Sequence, residues 1–142
     1  MYGGVAGHAG VFSNAYDLAI FMQMNLQKGY YGGQYYFLPQ TVDYFTHKQH
    51  EENRRGIIWD KPDYEIFNGP TGAFAPPDTF GHSGFTGTAV WADPEFELVY
   101  VFLSNRVYPS ATNLKLIKNN VRTRIQDIIY ESIFSYEKFH AE

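Results

Sequence analysis

Apolar residues recur at helical spacing near both ends of the chain and crowd into short runs between. Ala15, Leu18, Phe21, Met22 and Leu26 fall at three- and four-residue intervals, which predicts a helix from about residue 14 to 28. Ser13 stands at the N-cap position, Asp17 lies in the first turn where a carboxylate complements the helix dipole, and Gly29 is a natural stop. Met22 and Met24 read as core or flanking residues. Tyr30-Tyr31-Gly32-Gly33-Gln34-Tyr35-Tyr36-Phe37 reads as a glycine-centred turn between short extended pieces, and Pro39 as the first position of a brief helix ending near Thr46. Towards the far end, Leu114, Ile117, Val121, Ile125, Ile128 and Ile129 form a stripe that predicts one long helix, capped by Thr112 or Asn113 after Pro109.

The middle of the chain has the pattern of strands. Gly56-Ile57-Ile58-Trp59-Asp60 is a strand candidate, and the region from Lys61 to Thr79, with four prolines, is a long loop. Strands are expected at 80–83, 87–92 and 97–104, the last two joined as a hairpin through Asp93-Pro94-Glu95. Glu97 to Ser104 is nearly continuous in apolar residues, as in a strand buried on both faces. Gly3, Gly4, Gly7 and Gly10 around His8 mark an irregular start. The fold class is therefore α+β: an antiparallel β-sheet packed by a long C-terminal helix, with helices 14–28 and 39–46 beside it.

A length of 142 residues predicts one domain with a real core, and 44% hydrophobic content excludes general disorder. No apolar run is long enough to cross a bilayer, and the first residues lack the basic and apolar regions of a signal peptide. A net charge of -4 with 11 Lys and Arg argues against a nucleic-acid partner. The basic pair Arg54-Arg55, after Glu51-Glu52, reads as a solvated loop. With no cysteine, disulfides, thiolate catalysis and Cys-ligated zinc are excluded. His47 and His50 stand three apart without a third ligand pattern, so no metal site and no cofactor is expected.

The densest chemistry lies in Phe80-Gly81-His82-Ser83-Gly84-Phe85-Thr86-Gly87. A glycine in a strand weakens it unless a ligand or another backbone approaches closely, so this edge reads as a docking place. Gly81-His82-Ser83-Gly84-Phe85 falls one residue short of a Gly-x-Ser-x-Gly nucleophile elbow. The elbow reading fails: Phe85 stands where Gly is required, a strand follows where a helix is needed, and the one downstream histidine is His140.

Several separate motifs occur in an order that resembles the C-terminal part of the penicillin-recognising serine hydrolases, the branch of class C β-lactamases, related esterases and D-aminopeptidases. They are Gly3-Gly4-Val5-Ala6-Gly7-His8-Ala9-Gly10-Val11-Phe12-Ser13, Ala15-Tyr16-Asp17-Leu18-Ala19 with Phe21, Leu38-Pro39-Gln40-Thr41-Val42, Trp59-Asp60-Lys61-Pro62, the stretch Phe80 to Thr88, and Leu103-Ser104-Asn105-Arg106. The resemblance implies a partial β-lactamase/transpeptidase-like fold. Of the family's three working motifs, His82-Ser83-Gly84 matches the His-x-Gly form of the third. Tyr-x-Asn and Ser-x-Asn are absent, and the one Ser-x-x-Lys, Ser135-Tyr136-Glu137-Lys138, comes after the third motif, whereas the family's nucleophile comes first.

The resemblance thus implies the C-terminal portion of a larger hydrolase domain acting on an amide, ester or β-lactam bond, inactive alone. The alternative is a non-catalytic module of the same fold that recognises a cell-wall peptide or a partner protein. By the same resemblance His82 is the polar group of the cleft and the Phe85 amide is one oxyanion donor. Gly84 lets substrate lie along the strand edge, and Ser83 and Thr86 are further contacts, although alternation turns Ser83 away from His82. A periplasmic or cell-envelope location is implied. An unpaired edge and an apolar patch around Phe80, Phe85 and Trp91 would favour a homo-oligomer.

Overall fold

The structure is a computed structural model that describes residues 11–66 and 69–140; the expected irregular start around His8 lies outside them. The first helix, α1, spans Ala15–Leu26. Its cap is Asn14 and not Ser13, because the Asn14 carbonyl accepts the first intrahelical bond, from the Leu18 amide at 3.2 Å. The Asn14 side chain accepts from the Asp17 amide at 3.0 Å and donates to the Asp17 carboxylate at 2.8 Å. Gly29 ends the turn with φ +87°, its N–H on the Met24 carbonyl at 2.9 Å. A side chain there would collide with the Phe37 carbonyl. The hairpin β1 (Tyr30–Tyr31) and β2 (Gln34–Tyr35) turns through Gly32 and Gly33, both at positive φ, and α2 runs Pro39–Thr46 from a proline start.

Residues 56–60 form no strand. The chain reverses at Ile58, whose φ is +63°, and the Gly56 amide donates to the Trp59 carbonyl at 3.0 Å. The reversal leaves Ile58 exposed but buries Trp59 edge-on against Phe80, with ring centroids 5.3 Å apart. It also sets Asp60 in a two-bond backbone pair with Gly81. Burial of an indole and two main-chain bonds here outweigh the β-propensity of Ile57 and Ile58. The described residues of the expected loop, 61–66 and 69–79, form no helix or strand and are tied down at several points. The Lys61 ammonium, buried and lowered in pKa by that burial, donates to the Thr46 and Asp78 carbonyls at 3.3 Å each. Further on, the Gly72 amide donates to the Gln126 side chain at 2.8 Å.

The main sheet comprises β3 (Phe80–Ser83), β4 (Ala89–Asp93) and β5 (Leu98–Phe102), antiparallel in the order β3-β4-β5. Its side chains alternate between two cores. Phe80, Ala92, Val90 and Val99 pack with Met22, Leu26 and Trp59 on the α1 side. Ala89, Trp91, Tyr100 and Phe102 face Ile125 and Ile129 of the terminal helix. Both faces are covered, which is why β5 is apolar throughout.

The terminal helix is broken. A short α3 (Lys115–Lys118) is followed by Asn119 and by Asn120 at φ +50°, and only then by α4 (Val121–His140). Asparagine tolerates the left-handed region, so an Asn pair is a natural joint. Consequently the apolar stripe meets the sheet only from Ile125 onward, while Leu114 and Ile117 stay about two-fifths exposed. Tyr130, fully buried on α4, donates to the Asp93 carboxylate at 2.7 Å and so fastens the helix to the end of β4. The expected apolar patch is corrected: Phe80 and Trp91 are 3% and 2% exposed, one in each core, and of the three only Phe85 faces solvent.

Candidate functional site

The His82-Ser83-Gly84 motif ends at the tip of the β3–β4 hairpin. The Gly84 amide donates to the Thr88 carbonyl at 2.8 Å and the Gly87 amide to the Gly84 carbonyl at 2.9 Å, with Gly87 at φ +97°. A positive-φ residue after a tight turn is the usual closure of a three-residue hairpin connection, here Phe85-Thr86-Gly87. A side chain at Gly87 would strike the Ser104 hydroxyl. The tip is anchored from behind: the Thr86 carbonyl accepts from the Arg106 amide at 2.9 Å and from the Ser104 hydroxyl at 3.2 Å. The Arg106 guanidinium lies 4.7 Å from the Phe85 ring centroid and donates to the Ala111 and Asn113 carbonyls.

Hydrogen-bond alternation then decides what the outer edge of β3 presents. His82 is paired with Val90, and the Gly84 amide also points to β4, so Gly81 and Ser83 direct their main-chain groups the other way. Gly81 is occupied by Asp60. Past it, the edge carries the Ser83 backbone, and in the adjoining turn the Phe85 amide has no hydrogen-bond partner among the described residues. Phe85 itself is 73% exposed.

His82 is exposed beside this edge, on the sheet face opposite to Ser83. Its Nδ1 is 2.8 Å from the Ser83 carbonyl and its Nε2 is 3.2 Å from an Arg55 Nη. Both ring nitrogens are thereby engaged, and neither with the Ser83 hydroxyl, so no Ser83–His82 pair of the nucleophile–base kind exists here. Ser135 lies in α4, its hydroxyl on the Glu131 carbonyl at 2.7 Å, a helix-internal bond that leaves it far from any activated role. Among the described residues, the hydrogen bonds of Thr86 to the rest of the site run through its carbonyl.

The basic pair is no solvated loop. Arg54 grips both Asp60 carboxylate oxygens, at 2.6 and 3.0 Å, and reaches Asp63 at 3.4 Å; its pKa is raised, chiefly by the hydrogen bond to Asp60. Arg55 reaches His82 on one side and Asp60, at 3.4 Å, on the other. Asp60 is 5% exposed, and a carboxylate so buried needs this much compensation. Asp60 and Arg106 stand in two of the ordered motifs that carry the resemblance, but their contacts around the His82 stretch, and Arg55 altogether, emerge only from the Asp60–Gly81 pairing and the fold of the 103–114 segment.

Two clefts of about 620 Å³ each lie elsewhere, one around Lys28, Asp43 and Lys61, the other lined by Tyr64, Ile66 and Thr71 on one side and by Thr123 and Asp127 of α4 on the other. Among the described residues no group of three or more His, Asp or Glu is placed to hold a metal, and no helix is long and apolar enough to cross a membrane.

A helix-covered antiparallel sheet with a His-x-Gly strand at its open edge is the architecture of the β-lactamase class, and residues 1–121 match the Beta-lactamase family model. The chain belongs to that family. Proteins named "Putative D-alanyl-D-alanine carboxypeptidase" from Salmonella gallinarum, Salmonella paratyphi B and Salmonella newport are each 38% identical to it over 117 residues, 82% of this chain. The chain spans about a quarter of those relatives, 27% of their length.

Proposed function

We propose that this chain forms the sheet-edge wall of a serine hydrolase active site that cleaves an amide, ester or β-lactam bond, with a peptide ending in D-alanyl-D-alanine as the substrate class its carboxypeptidase-named relatives suggest. The observation that carries the reading is the unengaged Phe85 amide, one residue past Gly84 in the turn adjoining the edge where His82 stands. In acyl transfer a serine hydroxyl adds to the scissile carbonyl, and charge collects on its oxygen before the leaving amine or alcohol departs. Two preorganised N–H donors stabilise that oxygen. The Phe85 amide would be one, and the nucleophile's own amide the other. Substrate backbone would lie antiparallel along Ser83 as an added strand, with Gly84 offering no side chain to obstruct it and Thr86 at its end. Neither Ser83 nor Ser135 is arranged as the nucleophile, and in this reading the nucleophile and its base would be those of a Ser-x-x-Lys motif that this chain does not hold ahead of His82.

Two measurements test this. The chain alone should hydrolyse neither a chromogenic cephalosporin nor p-nitrophenyl acetate above a buffer blank; turnover abolished by Ser83→Ala or Ser135→Ala would overturn the reading. In a longer product that carries Ser-x-x-Lys, His82→Ala should reduce activity roughly 10²–10³-fold without loss of fold.

A further inference from the structure

The two partners of His82 have fixed roles, and together they settle the state of its ring. A carbonyl oxygen accepts only and a guanidinium donates only. The Ser83 carbonyl at Nδ1 therefore requires a proton on that nitrogen, while Arg55 at Nε2 requires a lone pair there. Only the neutral Nδ1–H tautomer satisfies both. The arrangement is braced from the backbone: Gly81, the residue before His82, pairs with Asp60, and Asp60 holds Arg55. The charged groups joined to His82 are Arg55 directly and, through it, Asp60, which also binds Arg54, itself on Asp63. Across the strand stands Val90, which brings no charge.

We propose that Arg55 is a positioning residue for His82: braced by Asp60, it locks the imidazole in the Nδ1–H form and keeps a permanent cation at the edge of β3. The inference rests on the reading of that edge as a substrate wall. Its consequence is a division of labour. An imidazole alone loses its charge as pH rises through the neutral range, whereas a guanidinium does not. An anionic substrate group approaching the edge meets Arg55, whose donated hydrogen bond occupies the His82 Nε2 lone pair.

The test is the ring spectrum of His82 in the ¹⁵N-labelled chain, recorded well above the ordinary imidazole range and identified by its loss in His82→Gln. The wild-type ring should show a protonated Nδ1 and a bare Nε2, against the Nε2–H form that an unconstrained imidazole favours. Arg55→Ala, a change at a partly exposed side chain, should shift the signature towards Nε2–H while amide signals elsewhere stay in place. Arg55→Lys, which keeps a donor-only cation, should retain the wild-type signature. A wild-type ring in the Nε2–H form or a mixture, an Arg55→Ala ring still in the Nδ1–H form, or an Arg55→Lys ring that behaves like the alanine variant overturns the assignment. Because no turnover is measured, the result stands apart from the hydrolase reading: a harmless His82→Ala in an active longer protein would sink that reading and leave the tautomer result untouched.

Discussion

Gly81→Ala tests the link between the sheet and the site in one substitution. Gly81 sits between two neighbours at once, paired with Trp91 across β4 and hydrogen-bonded to Asp60 on its outer side at 2.7 and 3.0 Å. A Cβ placed there would overlap the Val90 carbonyl oxygen and lie 2.6 Å from Trp91 Cε3 and 2.8 Å from Trp91 Cα. Neither can yield: one is main chain in the central strand and the other is a buried indole. β3 must therefore move outward, at the expense of the Asp60 pair. Overpacking of this kind costs about 1–3 kcal/mol, and each lost backbone bond about 1 kcal/mol, so the variant should be destabilised by roughly 3–5 kcal/mol. Urea unfolding followed by fluorescence reports it directly, since Trp59 and Trp91 flank the position. Gly84→Ala is the control. Its Cβ would meet only the Thr88 hydroxyl, a side-chain atom free to rotate, so it should cost less than about 1 kcal/mol. Equal stabilities for the two variants, or a Gly81→Ala loss below about 1 kcal/mol, would refute the idea that Gly81 is required by the triple approach of β4, Trp91 and Asp60.

Two further outcomes follow from the α4 side of the sheet. Tyr130→Phe strips a buried carboxylate of its shortest hydrogen bond and should cost about 2–3 kcal/mol in the same assay; a loss under about 0.5 kcal/mol would mean that α4 is held by its apolar stripe alone. Burial pushes the Tyr100 phenol from its ordinary 10.0 up to about 12, so the folded state favours the neutral phenol. That stability is fully present below pH 10 and is lost as pH rises towards 12, by at most about 3 kcal/mol. Tyr100→Phe should flatten part of the alkaline fall in unfolding free energy, and parallel wild-type and variant curves between those limits would contradict it.

Most of the fold was legible because the local signals agreed with one another. Pro39 opened α2, Gly32 and Gly33 turned the first hairpin, and the apolar run of β5 announced a strand covered on both faces. Departures occur where a tertiary contact outbids a local preference. Ile57-Ile58-Trp59 has strand composition, yet the value of seating Trp59 on Phe80 and Asp60 on Gly81 bends the chain at Ile58. The stripe from Leu114 to Ile129 reads as one helix, but Asn119 and Asn120 supply a joint, and a break of two residues does not erase the three- and four-residue spacing on either side. Periodicity alone does not reveal such a joint; the Asn pair was the available sign.

The site divides along the same line. His82, Gly84 and Phe85 stand as candidates from the sequence because they lie within four residues, and strand alternation converts the spacing of His82 and Gly84 into faces and edges. Arg55 could not, because nothing in a run of charges says which of them will be drawn under a sheet, and the motif Trp59-Asp60-Lys61-Pro62 marks Asp60 without saying what it holds. Arg54-Arg55 after Glu51-Glu52 looks self-neutralising, and it would be if the four met only one another. Instead, the backbone pairing of Asp60 with Gly81 places a carboxylate 5% exposed beside the strand, and a buried anion must collect cations. Arg54 and Arg55 are the cations within reach. The demand of one desolvated carboxylate thus turns a surface pair into a brace that ends on the imidazole of the strand motif.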